Sequence, residues 1–256
     1  MPTEFYKYQG TGNDFVMIDD RTQTFPQSQS LIENLCNRRF GIGADGLILL
    51  QNEVGYNFKM VYFNADGREG SMCGNGGRCA VRFAEFLGLF KTETTFMAVD
   101  GEHKATATEQ EISLKMGDVQ DINQYENYDF INTGSPHYVT FVADIEKTEV
   151  VTEGRKIRYS EQFKGGTNVN FVQQINHNTL YVRTYERGVE DETYSCGTGV
   201  TACALSAYLR LGLESPINII TKGGNLKVAF EKLSDSNSFQ NIYLIGPAIQ
   251  VFWGEA

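Results

Sequence analysis

No run in this 256-residue sequence approaches the roughly 18 consecutive apolar residues of a membrane span. The opening stretch MPTEFYKYQGTGNDF has no apolar h-region. A cytoplasmic protein without a membrane partner is therefore expected. Basic residues are scarce too: 22 Lys and Arg against 32 Asp and Glu leave a formal net charge of −10. A chain that neutralises phosphates needs a basic face, so nucleic acid is not an expected partner. Five cysteines, Cys36, Cys73, Cys79, Cys196 and Cys203, are an odd number without a secretion signal, which disfavours a disulfide framework. Four of them form pairs spaced C-x5-C and C-x6-C, not the two-to-four-residue knuckles of structural zinc, so no metal is expected. No lysine context resembles a pyridoxal phosphate site, and the G-x-x-x-x-G-K-[ST] phosphate loop is missing. No cofactor is expected.

What is present is a repeat. MCGNGGRCA (72–80) is echoed by SCGTGVTACA (195–204), with Cys73 and Cys196 123 residues apart. YQGTGNDFVMI echoes FINTGSPHYVT, GIGADGLIL echoes KGGTNVNFV, FNADG echoes YERG, and LGL at 87–89 echoes LGL at 211–213, all at offsets of 121–124. Five echoes in one order at a near-constant offset indicate a duplicated unit, about 3–118 and 127–247. The expected domains are a first half, 1–118, and a second half, 119–247. The tail 248–256 returns to the first half, and the loop LSDSNSFQN (233–241) reads as an insertion in the second copy.

Alternating and β-branched runs such as VMID, LILL and FKMVYF read as strands. Each copy has one strongly apolar helix after its cysteine turn, GGRCAVRFAEFLG and TGVTACALSAYLRLG, closed by Gly88 and Gly212. Apolar residues cover more than one face of these helices, so they are expected to be buried with sheet wrapped around them. A further helix, SLIENLCNRRF (30–40), is expected outside the first copy. The fold class that follows is α+β: two pseudo-twofold-related halves, each a curved, mostly antiparallel, barrel-like sheet around a central apolar helix.

Cys73 and Cys196 would lie at helix N-termini, where exposed N–H groups and the positive dipole end favour anions and thiolates. Facing each other across the cleft between the halves, two such groups suit inversion of a carbon centre. One removes a proton from one face, and the other returns one to the opposite face. The helix N-termini would stabilise the carbanion through its carboxylate. Cys36, Cys79 and Cys203 fall on apolar helix faces and are assigned to core packing.

GTGNDF, GIGADG, FNADGREGSMCGNGGRC, TGSPH, GTNVNF and YERGVEDETYSCGTG closely resemble the signatures of the diaminopimelate epimerase family, in family order from Gly10 to Cys203. The resemblance implies a cofactor-independent isomerase that interconverts LL- and meso-diaminopimelate in bacterial lysine and peptidoglycan-precursor synthesis. It implies Cys73 and Cys196 as the catalytic acid–base pair, and His137 and Glu186 as residues that tune their pKa. It also implies substrate binding by Asn13, Asn64, Gly74, Asn75, Asn168, Glu186, Arg187, Gly197 and Thr198. A homodimer is compatible with it. Two departures concern substrate holding: Gly46 stands where many members carry Gln, and Ser135 where many carry Asn. A proline or hydroxyproline racemase shares the two-cysteine logic but typically has C-G-H where this chain has Cys73-Gly74-Asn75. A phenazine-biosynthesis-type isomerase shares the fold without the paired cysteines. A non-catalytic amino-acid-binding module would need neither thiol.

Overall fold

The computed structural model describes residues 3–234 and 236–256. Met1 and Pro2, in the first expected half, and Asp235, inside the expected insertion loop, lie outside the described residues. In chain order the elements are β1 (Glu4–Gly10), β2 (Asn13–Asp19), α1 (Gln29–Cys36), β3 (Gly46–Gln51), β4 (Phe58–Asn64), α2 (Gly74–Phe86), β5 (Glu93–Ala98), β6 (Gly101–Ala107) and β7 (Ile112–Lys115). There follow β8 (Ile122–Gln124), β9 (Asp129–Asn132), β10 (Pro136–Phe141), α3 (Val150–Arg158), β11 (Asn168–Asn176), β12 (Thr179–Glu186), β13 (Asp191–Thr193) and α4 (Gly197–Leu211). β14 (Ile217–Thr221), β15 (Gly224–Lys232), β16 (Phe239–Gly246) and β17 (Ile249–Glu255) complete the chain. Among the described residues, no helix is long and apolar enough to cross a membrane.

The chain divides into two compact units, residues 1–114 with 246–256 and residues 115–245. The first divide falls before the expected 118/119. The Met116 amide bonds the Ile242 carbonyl, and Val119 exchanges two backbone bonds with Phe239, which ties residues 115–118 to the second unit. At the other end Gly246 and Pro247 join the first unit, where the Pro247 carbonyl accepts from Arg78.

Each unit runs the same strand sequence. In unit 1 the pairing is β17–β1–β2–β3–β4–β5–β6–β7, and only β2–β3 and β4–β5 are parallel. In unit 2 it is β8–β9–β10–β11–β12–β14–β15–β16, with β10–β11 and β12–β14 parallel. The parallel steps recur because a helix crosses over between those strands in both units. β17, from the end of the chain, occupies in unit 1 the position that β8 occupies in unit 2.

The central strands are apolar throughout because both faces of the sheet are covered. Side chains alternate across a strand. Val16, Ile18, Leu47 and Leu49 therefore join Ile32 and Cys36 of α1 in one core, while Phe15 and Ile48 line the other face beside Gly76 of α2. α2 touches β1, β2, β3, β4 and β6, and α4 touches β9, β10, β11, β12, β14 and β15. A helix reaching that many strands of one sheet is wrapped by it. Gly212 closes α4 in the left-handed region at φ 67°, and Gly88 does the same just beyond α2 at φ 74°.

Two helices differ from expectation. α1 stops at Cys36 rather than running to residue 40: Asn37 turns extended, and its side chain accepts from the amides of Arg39 and Phe40. α3 was not foreseen. It packs on β11 and β12, where Val150 meets Val169, Phe171 and Tyr185. A Cβ on Gly154 of this helix would lie 2.4 Å from Tyr185 Cβ. Gly154→Ala is expected to force α3 away from β12 and to cost about 1–3 kcal/mol, an overpacking effect. Urea unfolding measures it; an unchanged midpoint would show that this contact yields freely.

Candidate active site

Both pattern cysteines are N-cap residues. Cys73 precedes α2 with φ −111° and ψ 129°, and Cys196 precedes α4 with φ −116° and ψ 111°. Their carbonyls accept the first intrahelical bonds, from Gly77 and Val200 at 2.7 and 2.9 Å. The amides of Gly74 and Asn75, and those of Gly197 and Thr198, thus belong to the first helical turn, whose N–H groups point out of the helix end. Cys73 is half-buried and Cys196 is buried. Cys36, Cys79 and Cys203 are buried deeper, and burial pushes their thiols up, Cys36 to about 11 and Cys79 to about 12. They are unsuited to thiolate chemistry near neutral pH.

In unit 1 the Cys73 thiol lies 3.7 Å from Asn13 Oδ1. Asn13 is held from behind, since its Nδ2 donates to Asp45 at 2.7 Å, which turns the amide oxygen toward the thiol. Asn75 Nδ2 donates to the same oxygen at 3.4 Å. Below them lies Arg78, which is fully buried. Its Nη2 donates to Asn75 Oδ1 at 3.0 Å and Thr11 Oγ1 at 3.1 Å, with longer contacts to the carbonyls of Gly74 and Pro247. Burial pulls the guanidinium down to about 10, and neighbouring Cys79 and Cys73 oppose that. Lys7 and Arg38 both pair with Asp14, and Arg38 also pairs with Asp45. The flanking charges thus neutralise each other and hold Asp14 down near 2 against its burial.

In unit 2 the register that turns Val169 and Phe171 toward α3 turns Asn168 and Asn170 toward α4. His137, opposite Asn168 on β10, is fully buried. Thr184 donates to Asn170 Oδ1 at 2.9 Å, so Asn170 Nδ2 is the donor to the Tyr138 carbonyl and to His137 Nδ1. His137 Nδ1 is therefore the acceptor, and Nε2–H donates to Thr198 Oγ1 at 2.9 Å. That leaves the Thr198 hydroxyl proton for the Cys196 sulfur, 3.5 Å away. Burial first, and Arg187 second, push His137 down to about 3, so it is a neutral donor in this chain of bonds.

The remaining expected residues are distributed more loosely. Asn64 ends β4 on the surface, its backbone closing the turn to Gly67 and Arg68. Asn168 uses both ends of its amide on backbone, donating to the Pro136 carbonyl and accepting from the Arg187 amide at 2.8 Å. It thereby ties the TGSPH and YERG turns together. Glu186 accepts from Thr193 at 2.9 Å, and the exposed Arg187 donates to the Gly165 carbonyl. Gly46 stands against Tyr62: a Cβ there would lie 2.5 Å from that ring and 2.5 Å from the Phe63 carbonyl oxygen. The Gln common at this position would not fit beside Tyr62. Arg78, Thr11 and Asn170 were not singled out in the sequence. Among the described residues, no group of three or more His, Cys, Asp or Glu side chains is placed to hold a metal ion.

The sequence model described as diaminopimelate epimerase matches residues 5–122 and 130–251. The diaminopimelate epimerase of Flavobacterium psychrophilum is 53% identical over 253 residues, covering 97% of this chain and 98% of that protein. That of Aquifex aeolicus is 40% identical over 273 residues, covering 98% and 96%. Among solved structures, a phenazine biosynthesis protein of the PhzF family from Bacillus anthracis superposes with a TM-score of 0.80 at 14% identity, covering 100% of this chain and 99% of that one. A hydroxyproline epimerase from Agrobacterium vitis with bound trans-4-hydroxy-L-proline gives 0.69 at 13%, covering 100% and 92%. Those two likenesses concern the fold alone. With the family model matched across both units and close relatives aligned almost end to end, the chain belongs to the diaminopimelate epimerase family.

Proposed function

We propose that Cys73 and Cys196 are the acid–base pair with which this chain interconverts LL- and meso-diaminopimelate. Family membership makes the chain an isomerase, an epimerase of diaminopimelate. The observation that carries the two-thiol reading is the pair of N-cap cysteines, set at the same position of the buried helix in each unit. One thiolate takes the α-proton, and the C–H electron pair stays on carbon as a carboxylate-stabilised carbanion. The other thiol then delivers its proton to the opposite face. The pair ends with its protonation exchanged, and no outside oxidant or reductant is needed.

The amides of Gly74, Asn75, Gly197 and Thr198 would hold the reacting carboxylate, where negative charge develops. Asn13, Asn64, Asn168, Glu186 and Arg187 would hold the ammonium groups and the distal carboxylate, with Arg187 suited to a bidentate contact. His137 and Glu186 would tune the thiols, His137 through the Thr198 hydroxyl.

Proton NMR of LL-diaminopimelate in D2O, with reduced enzyme, tests the reading. Deuterium is expected at one α-carbon together with conversion to the meso form. Exchange with proline or hydroxyproline alone would keep the chemistry and move the substrate. Silence with all of them, in a folded sample, would leave amino-acid binding without catalysis.

A further inference from the structure

Among the described residues, the hydrogen bonds of Arg78 all go to neutral groups. Its hydrogen-bond acceptors are an amide oxygen, a hydroxyl and two carbonyls, none of them a carboxylate. Lys7, Arg38, Asp14 and Asp45, charged groups near Asn13, are mutually paired, and the thiol of Cys79, the neighbour of Arg78 on α2, is kept protonated by its burial. Arg82, a turn further along the helix, pairs with Glu85. A fully buried cation normally keeps a carboxylate partner, since its desolvation is otherwise uncompensated. Its place is also unfavourable on local grounds, because the first turns of a helix already carry positive dipole charge. The arrangement makes sense if the missing negative charge is present for part of the reaction cycle.

Comparison of the two units sharpens this. The offset that maps Cys73 onto Cys196 maps Arg78 onto Thr201, and both side chains bond the carbonyl of the residue after the cysteine, Gly74 or Gly197. Thr201 is neutral. In unit 2 the sulfur instead has the hydroxyl chain from His137 through Thr198. Glu186 and the exposed Arg187 are charged neighbours on that side, and Cys203 lies along the helix. The two copies therefore serve their thiols differently.

We propose that Arg78 is a positioning residue that supplies the counter-charge for the Cys73 thiolate. The inference rests on the two-thiol reading and deepens it. Asn13 Oδ1 accepts from the Cys73 thiol, and Arg78 favours the thiolate through space. A group that must be base for one stereoisomer and acid for the other needs both forms within reach near neutral pH. The fixed acceptor and the fixed cation provide for one form each.

The experiment is alkylation by uncharged iodoacetamide as a function of pH, with Cys73 and Cys196 resolved by peptide mass spectrometry. It is run on the wild type, Arg78→Met and Arg78→Lys. In R78M the Cys73 midpoint is expected to rise by about one pH unit or more, the range an opposite charge commands, while Cys196 stays put. R78K keeps the charge but loses the forked contacts to Thr11 and Asn75, and its Cys73 midpoint should remain near wild type. The proposal is overturned if R78K raises the Cys73 midpoint as far as R78M does, since Arg78 would then act by holding Asn75. It is also overturned if Cys73 does not move in folded R78M, or if both cysteines move together. Should R78M fail to fold, Arg78→Gln, neutral but still able to bond Asn75, takes its place with the same expected rise and the same overturning outcomes. Alkylation needs no turnover, so a Cys73→Ala variant that still epimerises would remove the two-thiol reading and leave this result standing.

Discussion

Epimerisation is expected to stop when either Cys73 or Cys196 is replaced by alanine, while the protein stays folded. Each thiol carries a different proton, so neither substitution is covered by the other group. Losing a positioned acid or base costs roughly 10²–10⁴-fold. With two obligatory transfers, the inverted product should fall below detection in ordinary assays. The fold should tolerate the changes. Neither cysteine side chain makes a capping hydrogen bond, and Cys73 is only half-buried. Removing one sulfur at a helix end is a small perturbation beside a cavity in the core.

The variants also separate the half-reactions. With one thiol left, solvent deuterium can enter from that side and return to the same face, giving exchange without inversion. NMR of recovered substrate reads exchange, and chiral chromatography reads inversion. Near-wild-type inversion by either variant would end the two-thiol reading.

The second large effect concerns pH and stability. His137 is fully buried, and its folded pKa is pushed down to about 3, below the ordinary 6.5. Between those values the unfolded chain binds a proton that the folded one refuses, so stability rises with pH across that window. The contribution is complete above 6.5 and is lost on acidification toward 3. One proton over the 1.5 units from pH 6.5 to 5 amounts to about 2 kcal/mol. Asp14, held near 2, and Glu190 and Glu192, held below their ordinary 4.5, begin to cost stability only as pH falls past their ordinary values, which leaves the window above about 5 to the histidine. Urea unfolding at several pH values should show this slope in the wild type and a much shallower one in His137→Gln. Equal slopes would mean that His137 can take up its proton without disturbing the fold.

The repeat was the most legible feature of the sequence. Glycine-bearing turns recur where the backbone must adopt the same path twice, so the echo survives when packing residues have diverged. The two apolar helices were legible for a related reason: a helix wrapped by sheet needs apolar residues on every side, and few other elements do. α3 is hard to see in the sequence although the repeat points to it. An offset of 122 maps α1, Gln29–Cys36, onto residues 151–158, within one residue of the observed helix at its N-terminal end. Its polar sequence VVTEGRKIR hides the short apolar stripe that packs it.

At the site, the N-cap positions of the cysteines were readable because the turn and the helix are adjacent in sequence. The His137–Thr198 bond joins residues 61 positions apart and exists only through the pairing of β10 with β11. Arg78 does not stand out in the sequence because an arginine in a helix usually lies on a solvated face. Its repeat partner, Thr201 within an apolar helix, was the available sign that the position points inward. Asn168 is legible only through the family resemblance, because the two backbone turns that its amide joins lie 32 and 19 residues away in the sequence.

The placement of β17 has a consequence for biosynthesis. Unit 2 is one uninterrupted stretch, whereas unit 1 lacks its last strand until residues 249–255 have left the ribosome. Translation at about 5–20 residues per second puts a delay of roughly ten seconds or more between β1 and its β17 partner. Through that interval one side of β1 is an unpaired strand edge, open to wrong partners. The half that is made first is therefore the half that is finished last.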